Sequence, residues 1–365
     1  MADILGYIFT AFAIITILAT LIPLSTQEHW WIRALDFPRL QIIAAGLICM
    51  AGFWYFNHGK GTLQMSLEIA LAASIVYQCW RIFPYTIFSK KMVLDTDCPP
   101  EEQDRICVVV TNVLETNRDY QACLKMLRKA DPDVILAVET DEEWKKNLQV
   151  LEEDYPYTIF MPLHNTYGML FYSRLKLIDP ELKFLLEPDV PSVHTTILLP
   201  SGAPIIFHGL HPRPPAPQEA DTSVPRDAEL IVVGYEVKKH PGPTIVAGDM
   251  NDVAWSHTSK LFRKISGLLD PRIGRGLFAT FNAFYTLLRW PLDHVFHTGD
   301  FKLVSLKRLE KIGSDHFPIC ITLSYEPEKE HEHEKPKADA DDHEEAQEKL
   351  EKAAEMKAED GSISK

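Results

Sequence analysis

Cysteine is scarce in this sequence, with six residues among 365, and no two of them form a Cys-x-x-Cys pair. Without such pairs, or a Cys and His cluster at zinc-ligand spacing, neither a zinc cluster nor a regular disulfide framework is expected. The motifs GxxxxGK[ST] and GxSxG are absent as well. Metal chemistry is therefore expected to use oxygen ligands, which favours Mg²⁺ or Mn²⁺. The scattered thiols favour a reducing compartment.

A surplus of positive charge is also missing, since 37 Lys and Arg face 51 Asp and Glu for a net charge of -14. The segment 326–365 holds fifteen acidic residues and seven lysines, a balance of -8 that leaves -6 for the rest. This argues against a protein that holds duplex DNA mainly through phosphate contacts, although the net charge is compatible with a local basic groove. The tail has almost no large apolar residue, so it is predicted to be disordered or a solvated helix.

Long apolar runs are present near the N-terminus. The first run has no charged residue and is long enough to cross a bilayer as a helix. No Lys or Arg precedes it, whereas a cleaved signal peptide needs a positive segment there. Two further runs follow, the last with one glutamate near its start. The sequence predicts three transmembrane helices within residues 1–84, at about 4–24, 40–56 and 63–82, and a linker at 85–105.

The few cations between these runs set the expected orientation. Arg33 and Arg39 lie in the first connection, and Lys60 lies alone in the second. Because loops rich in Lys and Arg stay in the cytoplasm, the N-terminus is expected outside. The large domain behind the third run is therefore expected in the cytoplasm.

Residues 106–325 alternate short β-branched runs with helical patterns, which is typical of an α/β domain with helices on the sheet faces. Strands are predicted at 106–111, 134–138, 169–172, 195–199, 204–209, 244–247, 292–296 and 319–323. Helices are predicted at 120–130, 142–153, 225–239 and 255–265.

Polar residues follow several of these strands, at the position where α/β sheets build their sites. The segment Gly248-Asp249-Met250-Asn251 offers a carboxylate that can orient water and an amide that can donate to a phosphate oxygen. Alone, such a segment is more often an Asx turn. Glu139 ends another strand and suits a hard cation, unless it only opens the next helix near its positive end.

Two further positions pair a carboxylate with an imidazole. Ser314-Asp315-His316 offers a metal ligand beside a phosphate-contacting histidine. Taken alone, however, Asp315 and His316 are more simply two polar residues of a loop. Asp293 lies in an apolar strand, where a carboxylate needs a partner because its desolvation is costly. His316 is the expected partner, since an aspartate can hold an imidazole in one tautomer.

Together with Thr111-Asn112-Val113 and Gly209-Leu210-His211-Pro212, these segments resemble the ordered motifs of the endonuclease/exonuclease/phosphatase superfamily over residues 106–324. The resemblance implies an α/β fold, a four-layer sandwich of two packed sheets flanked by helices. It also implies the site roles: metal binding by Asn112, Glu139 and Asp315, water activation by Asp249, phosphate contacts by Asn251 and His211, and pairing of Asp293 with His316.

Three features depart from patterns within that superfamily. Leu114 stands where abasic-site endonucleases carry a second acid, and Val138 stands where many members have Gln. The inositol phosphatase signature is missing, since the segment 289–294 reads Arg-Trp-Pro-Leu-Asp-His. These differences leave the core of the site intact but weaken a DNA-repair assignment.

The resemblance implies a phosphoesterase that uses Mg²⁺, or Mn²⁺, and no organic cofactor, and the three predicted spans make it membrane-anchored. The chain is most similar overall to bacterial membrane proteins of the superfamily, so a multi-pass protein of the inner membrane is expected. The expected substrate is a phosphodiester of nucleic acid or of a phospholipid head group. A second hypothesis is a non-catalytic, membrane-tethered binding protein on a degenerate hydrolase scaffold, whose acidic tail recruits a basic partner.

Overall fold

The computed structural model describes residues 2–56, 61–99 and 104–363. It divides the chain into two compact units. The first comprises Met1–Ser89 and Pro215–Ser223, and the second comprises Lys90–Pro214 and Val224–Lys365. We call them the helical unit and the sheet unit.

The helical unit is built from three long helices and one short one. They are α1 (Ala2–Leu21), α2 (Trp30–Arg33), α3 (Arg39–Phe56) and α4 (Thr62–Ile82). Apolar side chains of the long helices pack around the buried Phe53 and Leu71. Gln78 of α4 accepts a hydrogen bond from Arg39 at 2.7 Å and donates one to Thr20 at 3.1 Å. The interior of this unit is therefore partly polar.

Among the described residues, one of the three predicted spans is by itself long and apolar enough to cross a membrane, namely Ile4–Leu24. Arg39–Tyr55 passes the same test only when joined to Trp30–Asp36 across a bend of 72°. The third predicted span lies on α4, which does not pass, because polar residues such as Gln64 and Gln78 interrupt its apolar sequence. The prediction of three apolar spans is thus reduced to one, or two with the bent pair.

Within the described residues, the sheet unit has eleven strands in two mixed sheets. They are β1 (Arg105–Asn112), β2 (Val134–Val138), β3 (Tyr157–Met161), β4 (Met169–Ser173), β5 (Leu177–Lys183), β6 (Ser192–Leu198), β7 (Pro204–Leu210), β8 (Thr244–Asp249), β9 (Asp293–His297), β10 (Phe301–Arg308) and β11 (Ile319–Tyr325). The strand orders are β10-β11-β1-β2-β4-β3 and β5-β6-β7-β8-β9. In each sheet one central pair is parallel, β1 with β2 and β7 with β8.

The two sheets pack face to face. Along each strand, successive side chains point to opposite faces of the sheet. Val108 and Val110 of β1 lie in the core between the sheets, whereas Val109 packs on the helix side. Across that core the rings of Phe171 and Phe207 are 5.1 Å apart. Helices α5 (Tyr120–Ala130) and α6 (Glu142–Leu148) cover one outer face, and α7 (Val224–Lys239) and α8 (His257–Ser266) cover the other. The unit is an α/β sandwich, as the resemblance implies.

The acidic tail contains a helix, α9 (Ala340–Ile363), that packs against α7 and α8. Ala346 is fully buried there, and Lys349 donates a hydrogen bond to the buried carboxylate of Asp227 at 2.9 Å. Burial works to raise the pKa of Asp227, but the charges of Lys349 and Arg226 outweigh it and hold that pKa below its ordinary value. The tail therefore contains a helix with one packed face, whereas the sequence predicted a disordered tail or a solvated helix.

Candidate active site

The predicted site residues lie where the parallel strand pairs of the two sheets end. Asn112 is the last residue of β1, Glu139 follows β2 directly, and Asp249 is the last residue of β8. His211 follows β7, the parallel neighbour of β8. Because the carboxyl ends of parallel strands meet at one edge of a sheet, each sheet presents its polar residues at one edge.

Asn112 joins these two edges through its side-chain amide. Its Nδ2 donates to Glu139 Oε1 at 2.6 Å and to Asp249 Oδ2 at 3.0 Å. Its Oδ1 accepts a hydrogen bond from the backbone N–H of Leu114 at 2.9 Å, which fixes the orientation of the amide. Each sheet therefore contributes one carboxylate to the site, and the Asn112 amide donates a hydrogen bond to both.

The backbone around the carboxylates adopts conformations that few residues accept. Glu139 has φ +58° and Asn251 has φ +50°, the left-handed region that costs an L residue about 1 kcal/mol or more. Gly248 has φ +152°, and a Cβ there would lie 1.8 Å from the carbonyl oxygen of Leu210. The position before Asp249, at the end of β8, therefore requires glycine. Unusual backbone conformations thus orient the carboxylates of Glu139 and Asp249.

His316 and Asp293 form a buried pair at the same place. Nδ1 of His316 lies 2.8 Å from Oδ2 of Asp293, and Nε2 lies 3.5 Å from Oδ2 of Asp249. Thr280 Oγ1 accepts the backbone N–H of Asp293 at 3.2 Å. The ring of Phe281 packs on the imidazole at a centroid distance of 4.9 Å. The imidazole is thus held through Nδ1 and one ring face, while Nε2 points toward Asp249.

The charge on this imidazole governs the neighbouring carboxylates. Burial works to lower the pKa of His316, but Asp293 and Asp249 outweigh it and raise that pKa to about 10. Burial likewise works to raise the pKa of Asp249, but the His316 cation holds it below its ordinary value. Burial raises the pKa of Asp293 despite the cation. At neutral pH the site therefore contains a buried imidazolium next to an ionised Asp249.

The acidic groups fit a bound divalent cation. Burial raises the pKa of Glu139 to about 7, and the charges of Asp249 and Asp315 add to that rise. A divalent cation would relieve this crowding, and carboxylate and amide oxygens are the ligands it prefers. Ligand atoms of Asp249, Asp293 and His316 also lie within 4.8 Å of one another, but a protonated imidazole does not bind metal. Glu139 and Asp315 are the acidic groups beside this cluster, and the charge of Asp315 acts on Glu139.

Asn251 and His211 flank Asp249. The backbone N–H of Asn251 donates to Asp249 Oδ1 at 3.0 Å, and its Nδ2 donates to the carbonyl oxygen of Pro212 at 3.0 Å. An amide nitrogen has two protons, so the second can serve a phosphate oxygen. The charge of His211 contributes to the low pKa of Asp249, which places that imidazole beside the site.

All eight residues predicted from the sequence thus act on one another through hydrogen bonds or charge, and Asp315 does so through its effect on Glu139 and His316. Sequence reasoning missed three supporting residues. They are Thr280 and Phe281, which hold the pair above, and Arg226, which donates to the carbonyl oxygen of Asn251 at 2.8 Å. Each acts through a backbone atom or a ring face of a residue distant in sequence, so no motif marks it.

The chain is a two-sheet α/β sandwich that gathers acidic groups at its strand ends, where they can bind a metal, with imidazoles beside them. The sequence profile of the Endonuclease/Exonuclease/phosphatase family matches residues 110–316, over half of the 365-residue chain. The chain belongs to this family. No curated protein sequence matches it.

Solved structures resemble this fold at low sequence identity. A humanized D. rerio TDP2 is 17% identical over 60% of this chain and 98% of its own, with a TM-score of 0.50. The human Nocturnin catalytic domain is 17% identical over 62% and 100% of the two chains, with a TM-score of 0.49. A family protein from Bacteroides thetaiotaomicron is 17% identical over 61% and 99%, with a TM-score of 0.49. The first of these likenesses supports the fold and nothing finer.

Proposed function

We propose that the chain is a Mg²⁺-dependent phosphoesterase that hydrolyses a phosphodiester bond with water. The observation that carries this proposal is the contact between strand ends, in which Asn112 bonds both Glu139 and Asp249. The imidazolium of His316 lies beside them, 3.5 Å from Asp249. Buried charges and left-handed backbone both destabilise a domain, so their concentration at one point is best explained by catalysis.

Glu139 and Asp315 are the carboxylates that would hold the metal, and Asn112 would join them by turning its amide oxygen, which here accepts the N–H of Leu114, toward the ion. When bound, Mg²⁺ supplies Lewis-acid polarisation of the phosphoryl oxygens, and Mn²⁺ accepts the same ligands. The proposed reaction uses no organic cofactor.

The remaining residues act on water and phosphate. Asp249 is ionised at neutral pH and accepts the proton of the attacking water. Asn251 and His211 contact phosphate oxygens. The His316 cation, held by Asp293, stabilises the negative charge that develops on the phosphoryl group.

A non-catalytic binding protein on a degenerate hydrolase scaffold is the alternative. The intact set of Glu139, Asp249 and His316 argues against it, because binding alone does not require a buried imidazolium paired with two carboxylates. A wild-type chain that binds Mg²⁺ but hydrolyses no phosphoester of a broad panel would favour this alternative.

A hairpin beside the site carries an exposed apolar tip. Its base pairs Phe281 with Trp290, and the N–H of Ala283 donates to the carbonyl oxygen of Asp315 at 2.5 Å. The apolar tip (residues 284–288) exposes four large side chains, Phe284 at 48%, Tyr285 at 60%, Leu287 at 83% and Leu288 at 44%. The hairpin is therefore bonded to the candidate site at its base and presents apolar surface at its end.

Cations flank this tip. The Lys311 ammonium lies 4.2 Å from the ring centre of Phe284, and Arg289 and Arg308 both lie over the ring of Phe317. Burial lowers the pKa of Arg308, and the nearby charge of Arg289 adds to that effect. Apolar side chains next to cations suit the interface of an anionic bilayer, and two of the four tip residues are leucines, which, unlike Phe284 and Tyr285, cannot stack on nucleic acid bases. We therefore propose that the substrate is a phospholipid head group.

The double variant Leu287→Ser/Leu288→Ser tests the substrate class. The full chain in mixed micelles with Mg²⁺ would be assayed on phospholipid, on single-stranded DNA and on soluble bis-p-nitrophenyl phosphate. Phospholipid hydrolysis is expected to fall about ten-fold or more because two apolar side chains no longer enter the interface. Hydrolysis of the soluble ester should change less than about two-fold, since the site itself is intact.

The matched control is Val150→Ser, which removes an apolar side chain of 40% exposure elsewhere on the sheet unit. It should leave all three rates unchanged. Equal losses on the three substrates in the double variant, or a loss confined to DNA, would overturn the lipid assignment.

We also propose that the helical unit anchors the chain in a bacterial inner membrane, with the sheet unit in the cytoplasm. Beyond the apolar α1, support comes from α4, where Gln78 is 1% exposed and Trp80 is 65% exposed. Polar residues turned inward and apolar residues turned outward are expected of a helix in a lipid-facing bundle. A C-terminal alkaline phosphatase fusion, active only outside the cytoplasm, should be silent. Strong activity of that fusion would reverse the proposed orientation.

A further inference from the structure

A second polar cluster lies on the helix-covered face of the sheet β5-β6-β7-β8-β9. His194 of β6 and His208 of β7 are register partners, so their side chains stand next to each other on that face. Glu236 of α7 reaches the same point, and all three groups line a cavity of about 290 Å³. We call this set the His-His-Glu cluster. None of its members belongs to the candidate active site.

Hydrogen bonds fix the tautomer of His194. Ser192 Oγ donates to the carbonyl oxygen of Lys183 at 3.2 Å, so it accepts from His194 Nε2, which lies 2.8 Å away. His194 therefore carries its proton on Nε2 and presents an unprotonated Nδ1 to the cluster. Burial lowers the pKa of both histidines, and the 2.7 Å contact between their Nδ1 atoms requires that at least one of these atoms carries no proton.

The carboxylate of Glu236 is only half satisfied. Its Oε1 accepts a hydrogen bond from Lys183 at 3.2 Å, whereas its Oε2 is buried and has no hydrogen-bond partner among the described residues. That Oε2 lies 3.7 Å from His194 Nδ1, and the two histidine Nδ1 atoms lie 2.7 Å apart. The 2.7 Å contact places one proton between the two imidazoles, and Oε2 of Glu236 accepts no hydrogen bond from the described residues. A cation at the common centre would satisfy all three atoms.

We propose that the His-His-Glu cluster is a metal site for a divalent ion of the zinc type. The ligands are Nδ1 of His194, Nδ1 of His208 and Oε2 of Glu236, and two imidazole nitrogens favour zinc over Mg²⁺. Binding moves the proton of His208 from Nδ1 to Nε2 and separates the two nitrogens to about 3.3 Å, the spacing of tetrahedral ligands. The ammonium of Lys183 forms an ion pair with Glu236 at 3.2 Å, and its charge also acts on both histidines.

The architecture around these ligands gives the ion a structural role. Ser192 orients His194 in the way that outer hydrogen-bond partners orient zinc-ligating histidines. The three ligands come from two strands and a helix, so a bound ion clamps α7 onto the sheet. The adjoining cavity leaves a fourth position open to water. Sequence spacing did not reveal this site, because strand register and helix packing bring its ligands together.

Zinc binding would be measured on the EDTA-treated full chain by calorimetry and by thermal unfolding, with Mg²⁺ as the comparison ion. Glu139→Gln serves as the background, so that zinc entering the candidate active site is not counted. This background should bind one equivalent of zinc and show a raised Tm, and X-ray absorption should report two imidazoles and oxygen on the ion. Adding His208→Ala, or the milder Glu236→Gln, should remove the equivalent and the shift in Tm.

His331→Ala is the matched control, since it removes an exposed histidine of the acidic tail and should keep the zinc equivalent. Unchanged stoichiometry in both cluster variants would overturn the proposal, as would binding of Mg²⁺ as tight as that of zinc. Phosphoesterase activity is read separately on the wild-type chain, so failure of the zinc site leaves the proposed hydrolysis untouched.

Discussion

Asp249→Asn is expected to lower the rate of phosphodiester hydrolysis by about 10⁴-fold, the upper end of the loss for a positioned general base. The change removes the charge that accepts the proton of water. It also conflicts with its surroundings, because Asp249 receives hydrogen bonds from Asn112 at 3.0 Å and from the N–H of Asn251 at 3.0 Å. An amide placed between these donors must turn its own NH₂ toward one of them, so the side chain also loses its position.

The measurement is the steady-state rate with saturating Mg²⁺, after circular dichroism has shown that the variant is folded. Asp97→Asn makes the same chemical change at an exposed position and should keep the wild-type rate. If folded Asp249→Asn keeps more than about a tenth of the wild-type rate, Asp249 does not activate the water, and the proton must leave by another route.

The second large effect is expected at the buried pair of His316 and Asp293. Asp293→Asn should lower the rate by about 10² to 10⁴, because the 2.8 Å contact that supports the imidazolium loses its charge. His316→Ala should cost at least as much. The double variant should be little slower than His316→Ala alone, since residues that act as a unit are not additive.

Each single variant and the double variant would be compared at one pH and one Mg²⁺ concentration, with folding checked first. Losses that multiply in the double variant would show that the two residues act independently. A wild-type rate in folded Asp293→Asn would show that Asp293 only forms hydrogen bonds at the strand edge and does not support catalysis.

The fold was largely accessible from the sequence because its central strands are apolar and regular. All eight predicted strands are present, with ends that differ by a few residues. The three strands that were missed, β3, β5 and β10, lie at the edges of the sheets. All three are partly exposed, and two are irregular: β5 contains Pro180 and a register shift, and β10 has a register shift after Leu303. Their apolar alternation is therefore too weak to detect.

The residues of the site could be predicted from the sequence, but the contacts between them could not. The residues at strand exits, such as Glu139 and Asp249, are visible as polar positions after apolar runs, and their order carries the family resemblance. Their contacts are not visible, because they depend on two sheets packing face to face. The same limit applies to the docking of Lys349 on Asp227, which joins segments that no local pattern relates. The apolar tip was missed because an exposed leucine looks the same in sequence as a buried one.

The central claim, metal-assisted hydrolysis at the strand ends, is tested most directly by one measurement on the full chain. The rate of bis-p-nitrophenyl phosphate hydrolysis would be followed after EDTA treatment and then during Mg²⁺ addition, for the wild type and for Glu139→Gln. We expect the EDTA-treated wild type to be inactive and to recover fully with Mg²⁺, whereas Glu139→Gln should not recover at the same concentration. Wild-type activity that persists unchanged in EDTA would contradict the metal mechanism.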